Sequence, residues 1–173
     1  MIIKGELDKG RLLNKLNEIS ISFHLNALLD SEVVLNNIVV ENKIRGMEVS
    51  SWVSIISAIP EVREMLVKQQ QLMGLGKGVV MDGRDIGSVV FPDADYKFFL
   101  YAIPEIRAKR RHKEINDESV KIESIEKEIK ERDNIDSTRD IAPLKKAEDA
   151  HVIDVSYLTI DQVFEEILEK III

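Results

Sequence analysis

Two acids and an arginine within four residues, Asp82-Gly83-Arg84-Asp85, form the densest group of chemically capable side chains in the sequence. The carboxylates could order a cation or accept hydrogen bonds, and the guanidinium could clamp an oxyanion through its planar fork. Gly83 and Gly87 let the backbone turn tightly around them. A second set, Arg132, Asp136 and Arg139, falls at i, i+4 and i+7 on one helical face. Each set has a plainer reading. The first could neutralise itself in a loop, and on spacing alone the second is best read as a surface ion-pair ladder of little energetic worth. A third cluster, Arg107-Ala108-Lys109-Arg110-Arg111-His112-Lys113, is a charge run of the kind that usually marks a solvated helix face.

The elements around these residues are legible from periodicity. Gly78-Val79-Val80-Met81 is apolar and uninterrupted, which predicts a strand buried on both faces of a parallel sheet and ending in the acid-rich turn. Ligands of open α/β sheets gather beyond such strand ends. A second strand is expected at 96–101, after a Pro92-Asp93 turn, and a third at 151–155. Upstream, residues 8–18 predict a helix, 19–25 a half-buried strand, and 31–37 its hairpin partner, stopping at Asn36-Asn37. From 44 to 73 the pattern is helical, with Trp52, Ile55, Ile56 and Ile59 on one face and Pro60 opening a second helix. Downstream, Pro104 opens the basic helix, and a further helix covers 119–133, with Ile122, Ile125 and Ile129 inward, continuing toward Arg139. Thr159-Ile160-Asp161-Gln162 is a capping box, and Val163, Phe164, Ile167, Leu168 and Ile171 form a stripe expected to pack on the sheet.

Composition narrows the classes. With 173 residues, 45% of them hydrophobic, the chain suits one core carrying a small appended lobe. A formal charge of −7 argues against general nucleic-acid or anionic-membrane binding, though a local basic cluster can still serve a small anion. The absence of cysteine removes disulfides, zinc thiolates and thiol nucleophiles, and the histidines His24, His112 and His151 lack ligand spacing. No signal peptide or bilayer-length apolar run is present in the sequence, so a soluble cytoplasmic protein is expected.

Several segments, taken in order, carry a resemblance: Lys43-Ile44-Arg45 with Glu48-Val49-Ser50, Pro60-Glu61-Val62-Arg63-Glu64, GVVMDGRDIGSVVFPDA, Arg107 to Arg111, ERDNIDSTRD and APLKKAEDAHVID. Together they are similar to the bacterial-type cytidylate kinases, a match running from about Leu12 to the C-terminus. The resemblance implies the P-loop nucleoside-monophosphate kinase fold, an α/β parallel sheet with helices on both faces and a small monophosphate-binding lobe. Residues 1–73 would form that lobe, and 74–173 the C-terminal part of the core, with lid helices at about 105–139. The implied reaction is transfer of the ATP γ-phosphoryl group to CMP or dCMP, with Mg2+, giving CDP or dCDP and ADP. The implied partners are those nucleotides alone, with no nucleic acid or membrane, and the full-length protein would be a monomer. By the same resemblance, Ser54, Arg63 and Asp85 contact cytosine, Arg84 holds the CMP phosphate, and Arg132, Asp136 and Arg139 reach sugar and phosphate. Arg110 and Arg111, together with Arg107, lie on the lid that closes over the transferring group, and the catalytic assignment rests on Arg110 and Arg111. Asp82 orders the magnesium shell without ligating the metal directly. Ser88 stands where threonine is usual and keeps a hydroxyl, with no catalytic role assigned.

The sequence departs from the family at one point. No G-x-x-G-x-G-K-[ST] loop occurs in the 173 residues. Gly74-Leu75-Gly76-Lys77 is no substitute, because it lies between a helix and an expected strand, whereas a P-loop follows a strand and opens a helix. The first strands and P-loop are therefore expected to be absent, leaving a sheet without its centre and a chain inactive as given. The alternative is a non-catalytic CMP-binding module descended from the kinase. An RNA-binding or scaffold role for the basic helix is weaker, given the overall acidity and the lack of interleaved aromatics.

Overall fold

A computed structural model describes residues 2–3, 6–28, 30–44 and 46–171. Arg45, part of the first resemblance segment, lies outside the described residues. The chain separates into two compact units, residues 1–78 and 79–173.

The first unit opens with a minimal antiparallel pair, β1 (Ile2–Ile3) and β2 (Glu6–Leu7), followed by α1 (Lys9–Asn14) and a 3-10 turn, Leu16–Glu18. The Asp8 carboxylate starts α1 by accepting the Arg11 N–H at 2.9 Å. An antiparallel sheet follows in the order β3 (Ile21–Leu25), β4 (Ser31–Leu35), β5 (Ile38–Val39). The expected Asn-Asn stop is a hairpin turn. Asn36 and Asn37 both take positive φ, 48° and 65°, and Leu35 pairs with Ile38 across them. Three helices complete the unit: α2 (Glu41–Ile44), α3 (Met47–Ser57) and α4 (Pro60–Gly74). Pro60 occupies the first turn of α4, where its missing N–H costs nothing. Leu12, Leu16, Ile59 and Val62 form the core. Gln69 ties α4 to the sheet, accepting the Ile21 N–H and donating to the Ile19 carbonyl, both at 3.0 Å.

The second unit is mixed α/β. Its strands β6 (Phe98–Tyr101) and β7 (His151–Asp154) pair in parallel, Phe98 opposite His151 and Tyr101 opposite Asp154. Between them run α5 (Pro104–Ile115) and α6 (Ile122–Thr138), and α7 (Ile160–Ile171) closes the unit. Asn116, in the left-handed region at φ 50°, ends α5 with its N–H on the His112 carbonyl. Lys97 has an unusual environment for a lysine. Its buried ammonium donates to the Pro92 carbonyl and, at 2.6 Å, to the Asp149 carboxylate. Among the described residues no helix is long and apolar enough to cross a membrane.

One expectation is corrected. Residues 78–81 form no strand, and Val80 is fully exposed. A β-branched run becomes a strand only beside a neighbour that takes its backbone hydrogen bonds. Among the described residues no strand pairs with it, and the parallel sheet consists of β6 and β7 alone. The terminal helix also differs from expectation in depth: Phe164 and Ile171 remain exposed, and no residue of α7 is buried.

The capping box at α7 is formed as read. The Gln162 N–H donates to Thr159 Oγ1 at 3.2 Å, and Gln162 Oε1 accepts the Thr159 N–H at 2.9 Å. Thr159→Ala should lower stability by about 1 kcal/mol and speed amide exchange in the first turn of α7. Urea denaturation with hydrogen exchange checks this, and unchanged exchange there would contradict it.

Candidate functional site

Asp136 lies in the last turn of α6 and is 2% exposed. A carboxylate so buried needs cationic partners to remain ionised. Arg84 donates to it from Nε at 2.9 Å, Arg139 stands 3.5 Å away on its other oxygen, and Arg132 approaches at 3.8 Å. Asp85, equally buried, faces Arg139 at 4.0 Å. Among these contacts three arginines meet two aspartates, one positive charge in excess. Burial and, next, the charge of Arg84 pull the Arg132 guanidinium below its ordinary pKa, against the opposing pull of Asp136 and Asp133. An anion bound there would relieve that repulsion. Arg84 and Arg132 are each 38% exposed at the side chain, so the excess charge faces solvent while the acids stay covered.

Local sequence explains how the group assembles. Arg84 and Asp85 precede a π-helical turn, Ile86–Val90, in which the Asp85 carbonyl accepts the N–H groups of both Val89 and Val90. Such turns are rare and recur at functional sites. Gly83 permits it, because a Cβ there would stand 2.8 Å from Ile86 Cγ1. Arg139 follows α6 in extended backbone and is fixed by its Nε donating to the Ala142 carbonyl at 2.7 Å. The Leu144 N–H returns to the Asp136 carbonyl at 2.6 Å, folding the 139–144 segment over the helix end.

Asp82 is exposed at the end of the irregular 79–82 segment. Arg110 donates to three carbonyls beyond β7, those of Val155, Ser156 and Leu158, at 2.6, 3.2 and 3.2 Å. Arg111 pairs with Glu114 at 3.2 Å on the surface of α5. In the first unit, Ser54 on α3 and Arg63 on α4 are both buried, and Ser54 Oγ has no hydrogen-bond partner among the described residues. An orphaned buried hydroxyl is uncommon. Sequence reasoning missed Asp133, which holds Arg107 with two bonds of 2.5 and 3.0 Å and so locks α5 to α6. The two residues are 26 apart, and no local spacing signals the pair.

Comparison with known proteins identifies the family. The family model described as cytidylate kinase matches residues 5–172. The chain belongs to the cytidylate kinase family. A cytidylate kinase of Bacteroides fragilis is 50% identical over 157 residues, covering 89% of this chain and 69% of that protein. The Porphyromonas gingivalis cytidylate kinase is 46% identical over 170 residues, covering 96% and 74%. That of Clostridioides difficile is 47% identical over 144 residues, covering 82% and 67%. A mixed α/β fold with a parallel strand pair is consistent with this cytidylate kinase membership.

Removing the carboxylate that gathers the arginines should cost far more than removing one half-exposed arginine. Asp136→Ala is expected to lose about 3–5 kcal/mol and Arg132→Ala about 1 kcal/mol or less in urea denaturation. Equal losses would contradict the central position given to Asp136.

Proposed function

We propose that the chain binds CMP, and dCMP, for phosphorylation with ATP as the donor. The observation that carries this reading is the group around Asp136, two buried acids holding three arginines with one positive charge in excess and two guanidiniums half open. Arg84 uses Nε on Asp136, which leaves its terminal amines to take phosphate oxygens. In this reading Arg84 holds the CMP phosphate, and Arg132, Asp136 and Arg139 serve phosphate and sugar. Asp85, Ser54 and Arg63 serve the cytosine. A carboxylate can only accept while ionised, which suits the exocyclic amine of cytosine and not the carbonyl of uracil.

The chemistry asks for little from side chains beyond position and charge. The attacking CMP phosphate is already anionic near neutral pH, so no strong general base is needed, and alignment of the two phosphates supplies most of the acceleration. Asp82, exposed and oxygen-bearing, fits the hard-donor preference of magnesium and would order water around it. When bound with ATP, Mg2+ neutralises charge on the phosphoryl oxygens. Arg110 and Arg111 are assigned to the transferring group. To reach it, Arg110 must release its three carbonyls and Arg111 its glutamate.

The 173 residues hold no glycine-rich phosphate loop, and this favours a second reading for the chain by itself, CMP binding without turnover. Calorimetry and a coupled assay separate the two. On both readings CMP should bind the folded chain at least about tenfold more tightly than UMP and Arg84→Ala should weaken CMP by about 10–100-fold; on the second reading alone, ATP with CMP should release no ADP. CMP-dependent ADP release would remove the module reading and keep the kinase. Equal affinity for UMP, or no CMP binding by a folded chain, would sink both.

A further inference from the structure

Lys97 stands outside the group around Asp136, and its side chain is only 7% exposed. A buried ammonium is costly, and an apolar residue of similar length would fill the same space without that cost. The backbone of Lys97 is fixed just before β6, where its carbonyl accepts the His151 N–H at 2.9 Å. Its stem runs across Gly87 in the π-helical turn, so closely that a Cβ on Gly87 would stand 3.3 Å from Lys97 Cδ. The ammonium then donates in two directions, to the Pro92 carbonyl and, at 2.6 Å, to the Asp149 carboxylate. Those two partners end the two connecting segments that deliver site residues. Residues 84–92 carry Arg84 and Asp85 at one end and Pro92 at the other, and residues 139–149 carry Arg139 at one end and Asp149 at the other.

We propose that Lys97 is a positioning residue that sets Arg84, Asp85 and Arg139 relative to one another, by tying the far ends of their two segments to one point beside β6. A lysine suits this task. Its ammonium carries several donors on a long stem, so one side chain can hold a carbonyl on one segment and a carboxylate on the other. The stem adds a third hold by lying against Gly87, within the turn that follows Asp85. Side chains that must meet a ligand in one geometry need such outer supports, because connecting segments do not hold them by themselves. The consequence for CMP rests on the reading in which Arg84, Asp85 and Arg139 receive the nucleotide, whereas the positioning itself can be measured without any ligand.

In the unliganded 173-residue chain, Arg84 Nε–H is held by Asp136 and Arg139 Nε–H by the Ala142 carbonyl, and NMR can follow the exchange of both protons with water. Lys97→Met keeps the stem and removes both ties. Both Nε–H groups should then exchange at least about tenfold faster, while the α5 amides, which follow overall stability, change less. Asp149→Ala alters an exposed carboxylate and cuts one tie alone, so Arg139 should speed up more than Arg84. By calorimetry, Lys97→Met should weaken CMP binding about tenfold. Faster Nε–H exchange together with no CMP binding by the unaltered chain would support the positioning role and overturn the nucleotide reading instead. The proposal is overturned by Nε–H exchange that is unchanged or rises only in step with the α5 amides, or by a Lys97→Met chain that binds CMP as the unaltered chain does. If Lys97→Met does not fold, Asp149→Ala decides, and unchanged exchange at Arg139 overturns the proposal.

Discussion

A carboxylate taken out of water must find cations or give up its charge, and Asp136 meets that demand with three arginines drawn from two parts of the chain. Arg84 comes from the turn after residue 82, whereas Arg132 and Arg139 flank Asp136 itself at the end of α6. The cost of burying Asp136 is offset chiefly by Arg84 and Arg139, the two that approach it most closely, so the turn, the helix end and the 139–144 segment are fixed together. The group is thereby held together by its own charges. Its excess charge is a by-product of the same arrangement, because two acids cannot neutralise three guanidiniums. In the reading proposed above, that excess serves the phosphate of the nucleotide.

The parallel sheet obeys a different constraint. Parallel strands are normally covered on both faces and flanked on both sides. Among the described residues one pair stands with Leu100, Tyr101 and Val152 about half exposed, and the apolar segment at 79–81 pairs with no strand. The polar half of the unit is accordingly better satisfied than the apolar half. Arg107 with Asp133 and Lys97 with Asp149 pin helices and loops, while among the described residues the parallel sheet has only the two strands β6 and β7.

What could be read from the sequence follows from how local each feature is. Pro60, Pro104 and the Thr159 to Gln162 box act within one helical turn, and each helix starts where they direct. Asn36-Asn37 was legible as a turn but not as a hairpin, since β5 is only two residues long. The 78–81 segment misled because strand formation is decided by a neighbour and not by the run itself. At the site, spacing put Arg132, Asp136 and Arg139 on one face but favoured a solvated ladder. Burial of Asp136 is a property of the 139–144 segment closing over it, which periodicity does not encode. The partners of Arg107 and Arg110 were equally out of reach, being 26 and about 45 residues away.

The central claim is that Asp136 and the arginines form one interacting unit in the unliganded chain, and a double-mutant cycle between Arg84 and Asp136 tests it most directly. Urea denaturation of Arg84→Ala, Asp136→Ala and the double variant yields their coupling. The account predicts a favourable coupling of roughly 1.5–3 kcal/mol, as for a buried hydrogen bond between charged groups. Losses that simply add, leaving a coupling within error of zero, would contradict it.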